Sequence, residues 1–98
     1  MSVQMVIELQ EEHQAQTVIK ALDAYKQQLK ANIARTKRRL QSFERQYGVS
    51  TDHFLLTMAA EDLDGGDVEY VSWAGEAQLL AGLVSELNEL EHTNYELR

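Results

Sequence analysis

A chain of 98 residues, 44% apolar and 26% charged, has the composition of one small globular domain, and at that size self-association is a common way to complete a core. The lack of cysteine excludes disulfides and thiolate metal sites, and the lack of proline leaves helix endings to glycines and caps. A net charge of -7 argues against indiscriminate binding to nucleic acid or anionic lipid, and no apolar run reaches the roughly 18 residues of a membrane span.

The opening MSVQMVIELQEEH lacks the basic start and long apolar core of a secretory signal, so a cytoplasmic protein is expected. Within residues 1–10, Val3, Met5, Ile7 and Leu9 alternate, which predicts a short strand or an extended arm. Residues 11–47 predict a long basic helix. Its apolar positions Leu22, Tyr25, Leu29, Ile33, Thr36, Leu40, Phe43 and Tyr47 recur at threes and fours. At about 100° per residue they fall in an arc of roughly 80°, a narrow coiled-coil-like seam. Gly48 is placed to end this helix in the left-handed conformation, with Val49 as the apolar contact of a Schellman motif.

Ser50 is the expected cap of a short helix over 50–62, with Asp52 in its first turn and an apolar face of Phe54, Leu55 and Met58. The acidic turn DLDGGD follows. Asp67 is then the expected cap of an acidic, leucine-rich helix over 67–97. Its residues Trp73, Leu79, Leu80, Leu83, Val84, Leu87 and Leu90 spread over an arc of roughly 160°, too wide for one partner helix. The expected fold is therefore all-α: a helical hairpin with a short intervening helix, completed as a bundle-like homodimer. Trp73, Leu79, Leu80, Leu83, Leu87 and Leu90 are the candidate interface.

Charge is divided along the chain. Eight of the nine Lys and Arg lie between Lys20 and Arg45, beside only Asp23 and Glu44, which gives +6. From Gln46 onward eleven acids face one Arg, which gives -10. Side by side, the basic and acidic helices neutralise each other and set their own register. Glu76 stands inside the apolar stripe and needs a partner; an antiparallel pairing points to Arg38, Arg39 or Arg45. Alternatively, Arg35, Lys37, Arg38 and Arg39 form a phosphate-binding surface of a nucleic-acid regulator. No aromatic residue interleaves with that cluster on its exposed side, and the first strand carries no Lys or Arg to read a DNA groove.

Motifs of catalysis are lacking. AEDLDGGD fails the twelve-residue calcium pattern in every register, and His13, His53 and His92 have no second ligand at metal spacing. No nucleophile elbow, phosphate loop or zinc-hydrolase helix occurs. A binding protein without cofactor or metal is expected, not an enzyme.

The stretch LQSFERQYGVSTDHFL, then the Gly-Asp turn, then VEYVSWAGEAQLLAGLVSELNELE, resembles a group of small acidic prokaryotic antitoxin-like proteins encoded beside small toxin-like proteins. Their pattern reads L-x-x-FE-x-KYGMS-x-x-EF, then G-D-D-x-D-(F/Y)-F-E-W-E-G and a leucine-rich helix. Phe43, Glu44, Tyr47, Gly48 and Ser50 match the first part, with Gln46, Val49 and His53 replacing Lys, Met and Glu. Gly66, Asp67, Tyr70, Trp73 and Gly75 match the second, with Val71, Ser72 and Ala74 replacing Phe, Glu and Glu. The resemblance covers about Leu40 to Glu91 and implies a protein that sequesters or regulates a cognate toxin through helix-face contacts. A purely structural homodimerisation module and the nucleic-acid regulator are the alternatives.

Overall fold

The computed structural model describes residues 3–7 and 12–97, with side chains described for 14–92. The order of elements is β1 (Val3–Ile7), α1 (Glu12–Tyr47), α2 (Thr51–Thr57), α3 (Gly66–Glu91) and β2 (Thr93–Leu97), with a single 3-10 turn at Ala60–Asp62 before α3. The fold is all-α around the helix pair α1 and α3, with one short ladder between the chain's ends. In that ladder β1 and β2 run parallel, from Val3 opposite Thr93 to Ile7 opposite Leu97. The expected strand within 1–10 is thus present; its alternating side chains lie outside the described residues.

The chain divides into two compact units. One comprises residues 1–32 and 83–98 and holds the β-ladder, the first half of α1 and the end of α3. Leu29 is its buried residue on α1, and Tyr25, on the same stripe, donates its hydroxyl proton to Glu86 of α3. The other unit is residues 33–82. Its core is Leu40, Phe54, Leu63 and Trp73, with Phe43, Tyr47, Val49, Met58, Tyr70, Ala74, Ala77 and Leu80 packed against them. Within this unit α1 and α3 are antiparallel, since Arg39 meets Glu76 and Tyr47 meets Glu69.

The end of α1 follows from its glycine. Gly48 has φ 66°, and its N–H donates to Glu44 O at 2.8 Å, the single five-to-one bond of an αL cap where a Schellman motif is expected. Val49 still packs against the core.

Three expectations are corrected. The helix expected over 50–62 stops at Thr57, where the chain turns extended at Met58. Its side chains compete with the helical ladder: Thr57 Oγ1 donates to His53 O at 2.7 Å, and Asp62 Oδ2 accepts from Ala59 N–H at 2.8 Å. The break allows Leu63 to reach the core while Leu55, assigned to the buried face, lies exposed. Secondly, α3 starts at Gly66, itself at φ 60°, so Asp67 lies inside the first turn and is not its cap. Thirdly, α3 ends at Glu91, not at residue 97, because Thr93 and Asn94 are poor helix formers and the segment has a strand partner in β1.

Candidate functional site

The second unit is closed by an aromatic cluster built on Trp73, which is 0% exposed. Phe54 of α2 stacks on its ring at 3.9 Å with planes 2° apart, and Phe43 and Tyr47 of α1 stack at 5.2 and 5.6 Å. Each such pair contributes about 0.5–1.5 kcal/mol beyond area burial. The indole N–H, which would be costly to bury unpaired, donates to Thr51 Oγ1 at 3.0 Å.

Polar groups hold the connections around this cluster. Ser50 Oγ accepts from His53 N–H at 3.1 Å, as its N-cap position requires. Glu44 Oε2 accepts from Thr51 N–H at 2.7 Å, so α1 itself caps the start of α2. Tyr47 donates to Glu69 Oε1 at 2.5 Å and accepts from Asp64 N–H at 3.0 Å, while Glu69 Oε2 accepts from Gly65 N–H at 3.0 Å. A single carboxylate thereby ties α1, the acidic turn and α3 together. Burial and the neighbouring Glu69 carboxylate hold the Tyr47 phenol above its ordinary pKa of 10.0, against a smaller opposite effect of the Asp64 amide. Hydrogen bonding to Glu86 raises Tyr25 likewise.

The residues that carry the family resemblance therefore serve the fold here. Phe43, Tyr47, Tyr70 and Trp73 are the aromatic interior, Glu44 and Ser50 are caps, and Gly48 and Gly66 take positive φ. Glu69, which joins the three segments, falls where the pattern has Asp; an acid at that position, four residues after Gly65, is the trace of its role.

Glu76 finds the partner its position demands. Its Oε1 accepts from Arg39 Nη1 at 2.9 Å, with the side chains 17% and 55% exposed respectively. Its second oxygen is buried with no hydrogen-bond partner. Of the three candidate arginines, Arg39 makes the pair. Arg38 and Arg45, like Lys37, lie exposed on α1 and make no ion pair among the described residues. Arg35, on the same helix, is also exposed but engaged.

The candidate interface divides. Trp73 cannot face a second chain, because it is wholly enclosed by its own, and Leu80 packs against the same core. Leu83, Leu87 and Leu90 are half-buried. Leu79 alone of the six is open, at 47% exposure. The open apolar surface lies instead at Leu55 and Leu56 on α2, the latter 85% exposed, and at Val68 and Val71 on α3, 81% and 68% exposed. Sequence reasoning passed over Leu56, Val68 and Val71 because they fall off the inward stripes; that same displacement is the signal that marks them.

Among the described residues no group of three His, Asp or Glu side chains is placed to hold a metal, and no helix is long and apolar enough to cross a membrane. Comparison with known protein families, with curated proteins and with solved structures finds no match.

Proposed function

We propose that this chain is an antitoxin-like binding protein of the cytoplasm, without catalytic activity, which sequesters or regulates a cognate toxin protein through helix-face contacts. One observation carries the reading. Leu55 and Leu56 lie exposed on α2, and the segment from Asp52 to Asp64 also exposes Asp52, Glu61, Asp62 and Asp64. A monomer gains nothing from solvated leucines, and an apolar patch in acidic surroundings fits a protein whose own apolar patch is rimmed by Lys and Arg. The resemblance of the sequence to antitoxin-like proteins supports the same partner class.

The test is co-expression with the product of the adjacent gene. That product alone should slow growth, and this chain should relieve the effect and bind it in calorimetric titration. Leu56→Asp should weaken binding by more than about tenfold without lowering Tm, since the side chain is solvated in the free protein. Absence of both binding and growth relief for the wild type would overturn the reading.

A nucleic-acid-binding regulator is the second reading, favoured by the exposure of Lys37, Arg38 and Arg45 on α1. It requires salt-dependent retardation of DNA or RNA that is lost on Arg38→Glu with Arg39→Glu. The acidic balance of the whole chain makes retention of random sequences at physiological salt the unexpected result.

A further inference from the structure

The outward side of α3 carries a second seam that the chain's own fold leaves open. Val68, Val71, Gly75, Leu79 and Gly82 follow at steps of three, four, four and three. At about 100° per residue they share an arc of roughly 80°, the geometry of a helix-pairing stripe. All five are exposed, whereas Trp73, Glu76, Ala77 and Leu80 on the other side are buried or half-buried.

Its two glycines have no purpose within the chain. Both Gly75 and Gly82 are helical with no positive φ, and a Cβ at either would meet nothing within 4 Å. Each costs the helix about 0.5–1 kcal/mol relative to alanine, with no return from turn geometry or internal packing. Small residues spaced along one helix face do have a purpose when another backbone crosses closely.

The spacing of the seam is symmetric about Gly75. Reversed and laid on itself, it sets Val68 against a second copy's Gly82, Val71 against Leu79, and Gly75 against Gly75. Large residues then meet small ones at both ends, and the crossing point is the narrowest. Such a self-complementary, two-fold arrangement is that of an isologous dimer.

Charge selects the same occupant. Between Val68 and Gly82 the charged residues of α3 are Glu69 and Glu76, and both turn inward to bond Tyr47 and Arg39. The seam is uncharged, flanked by Ser72 on one side and Gln78 on the other. The outward face of α1, with Lys37, Arg38 and Arg45, would repel its own copy.

We infer that two copies of this chain associate through the Val68–Gly82 seam of α3, antiparallel and crossing at Gly75. The inference does not rest on the identity of the sequestered protein. It moves the dimer surface from Trp73, Leu80 and the half-buried leucines to the opposite side of the helix.

The chain has no cysteine, so a single introduced one reports contact cleanly. Gly75→Cys should oxidise to a disulfide-linked dimer in dilute solution, since facing residues at a close crossing lie within the Cα separation of about 7 Å that a disulfide needs. Leu56→Cys, away from the seam, should not. Light scattering should find the wild type dimeric at tens of micromolar and Gly75→Glu monomeric with its helical circular dichroism retained, because glutamate favours the helix. Val71→Lys should weaken the dimer by more than about tenfold, and adding Leu79→Glu should restore it, as only the antiparallel register brings the two together. A wild type that stays monomeric at several hundred micromolar, or a Gly75→Glu variant that stays dimeric, would overturn the inference.

Discussion

Removing Arg39 should cost more stability than replacing Glu76 by an apolar residue of its own size. Arg39 is more than half exposed, so solvent screens the charge–charge attraction to the range of about 0.2–1 kcal/mol found for open pairs. The asymmetry lies in the carboxylate. Glu76 is 17% exposed, and one oxygen already lacks a hydrogen bond. Arg39→Ala would leave the other unpaired too, and a carboxylate that loses its charged donor forfeits about 1–2 kcal/mol. Glu76→Met removes that desolvation cost and fills the same space beside Ala77 and Leu80, so it should fall within about 1 kcal/mol of wild type in either direction. The double-mutant cycle should give a coupling of about 1–2 kcal/mol, falling at high salt, while Arg38→Ala and Arg45→Ala show none with Glu76. Urea denaturation of the four proteins at low and high sodium chloride is the assay. A Glu76→Met variant less stable than Arg39→Ala, or a coupling below about 0.5 kcal/mol, would refute the argument that this pair sets the register of α1 on α3.

At Gly48, φ 66° with open space around a would-be Cβ makes the penalty purely conformational. Gly48→Val should cost on the order of 1 kcal/mol or more and Gly48→Asn clearly less; equal denaturation midpoints for the two would remove the cap argument. For Tyr47, the folded-state pKa is raised above 10.0, so the stabilisation by its neutral hydroxyl is full below pH 10 and lost as pH rises past that value. The Tm gap between wild type and Tyr47→Phe should therefore hold from about pH 8 to about pH 10 and shrink only above it, and a gap that stays constant above pH 10 would show that the Glu69 contact contributes nothing.

The parts legible in the sequence are those written in local periodicity. Ten turns of α1 repeat one stripe, so Leu29, Thr36 and Leu40 could be placed inside before any partner was known. Glu76 was legible for the opposite reason: a carboxylate in an apolar stripe must find a cation, and the charge division left few to choose from. What was hidden depends on side chains that compete with the backbone or on distant segments. Nothing in the pattern TDHFLLTMAAEDL shows that the Thr57 hydroxyl turns back to His53, or that Asp62 takes the Ala59 amide. The end of α3 depends on β1, some ninety residues away, which no window of helical periodicity contains. The wide arc of leucines does not coincide with the open apolar surface of α3. Trp73 and Leu80 pack inward, whereas Leu79 joins Val68 and Val71 outside.

That division bears on partner choice. Where the sequence agrees with the antitoxin-like pattern, it mostly agrees in the interior: Phe43, Tyr47, Tyr70 and Trp73 pack together, and Glu44, Gly48, Ser50 and Gly66 end or begin helices. Where it departs, four of six positions are exposed, namely Gln46, His53, Val71 and Ser72, and only Val49 and Ala74 are half-buried. An interior is held by packing that tolerates few exchanges, whereas a solvated position is free to follow whatever it touches. With Val71 and Ser72 where the pattern has Phe and Glu, the outward side of α3 is a narrow, neutral strip. Such a strip fits a closely approaching helix better than a basic protein surface, whereas the acids beside Leu55 and Leu56 retain the opposite preference. Two surfaces with different chemistry, on α3 and on α2, can serve two partners at once, one copy of the chain and one foreign protein, without competing for the same residues.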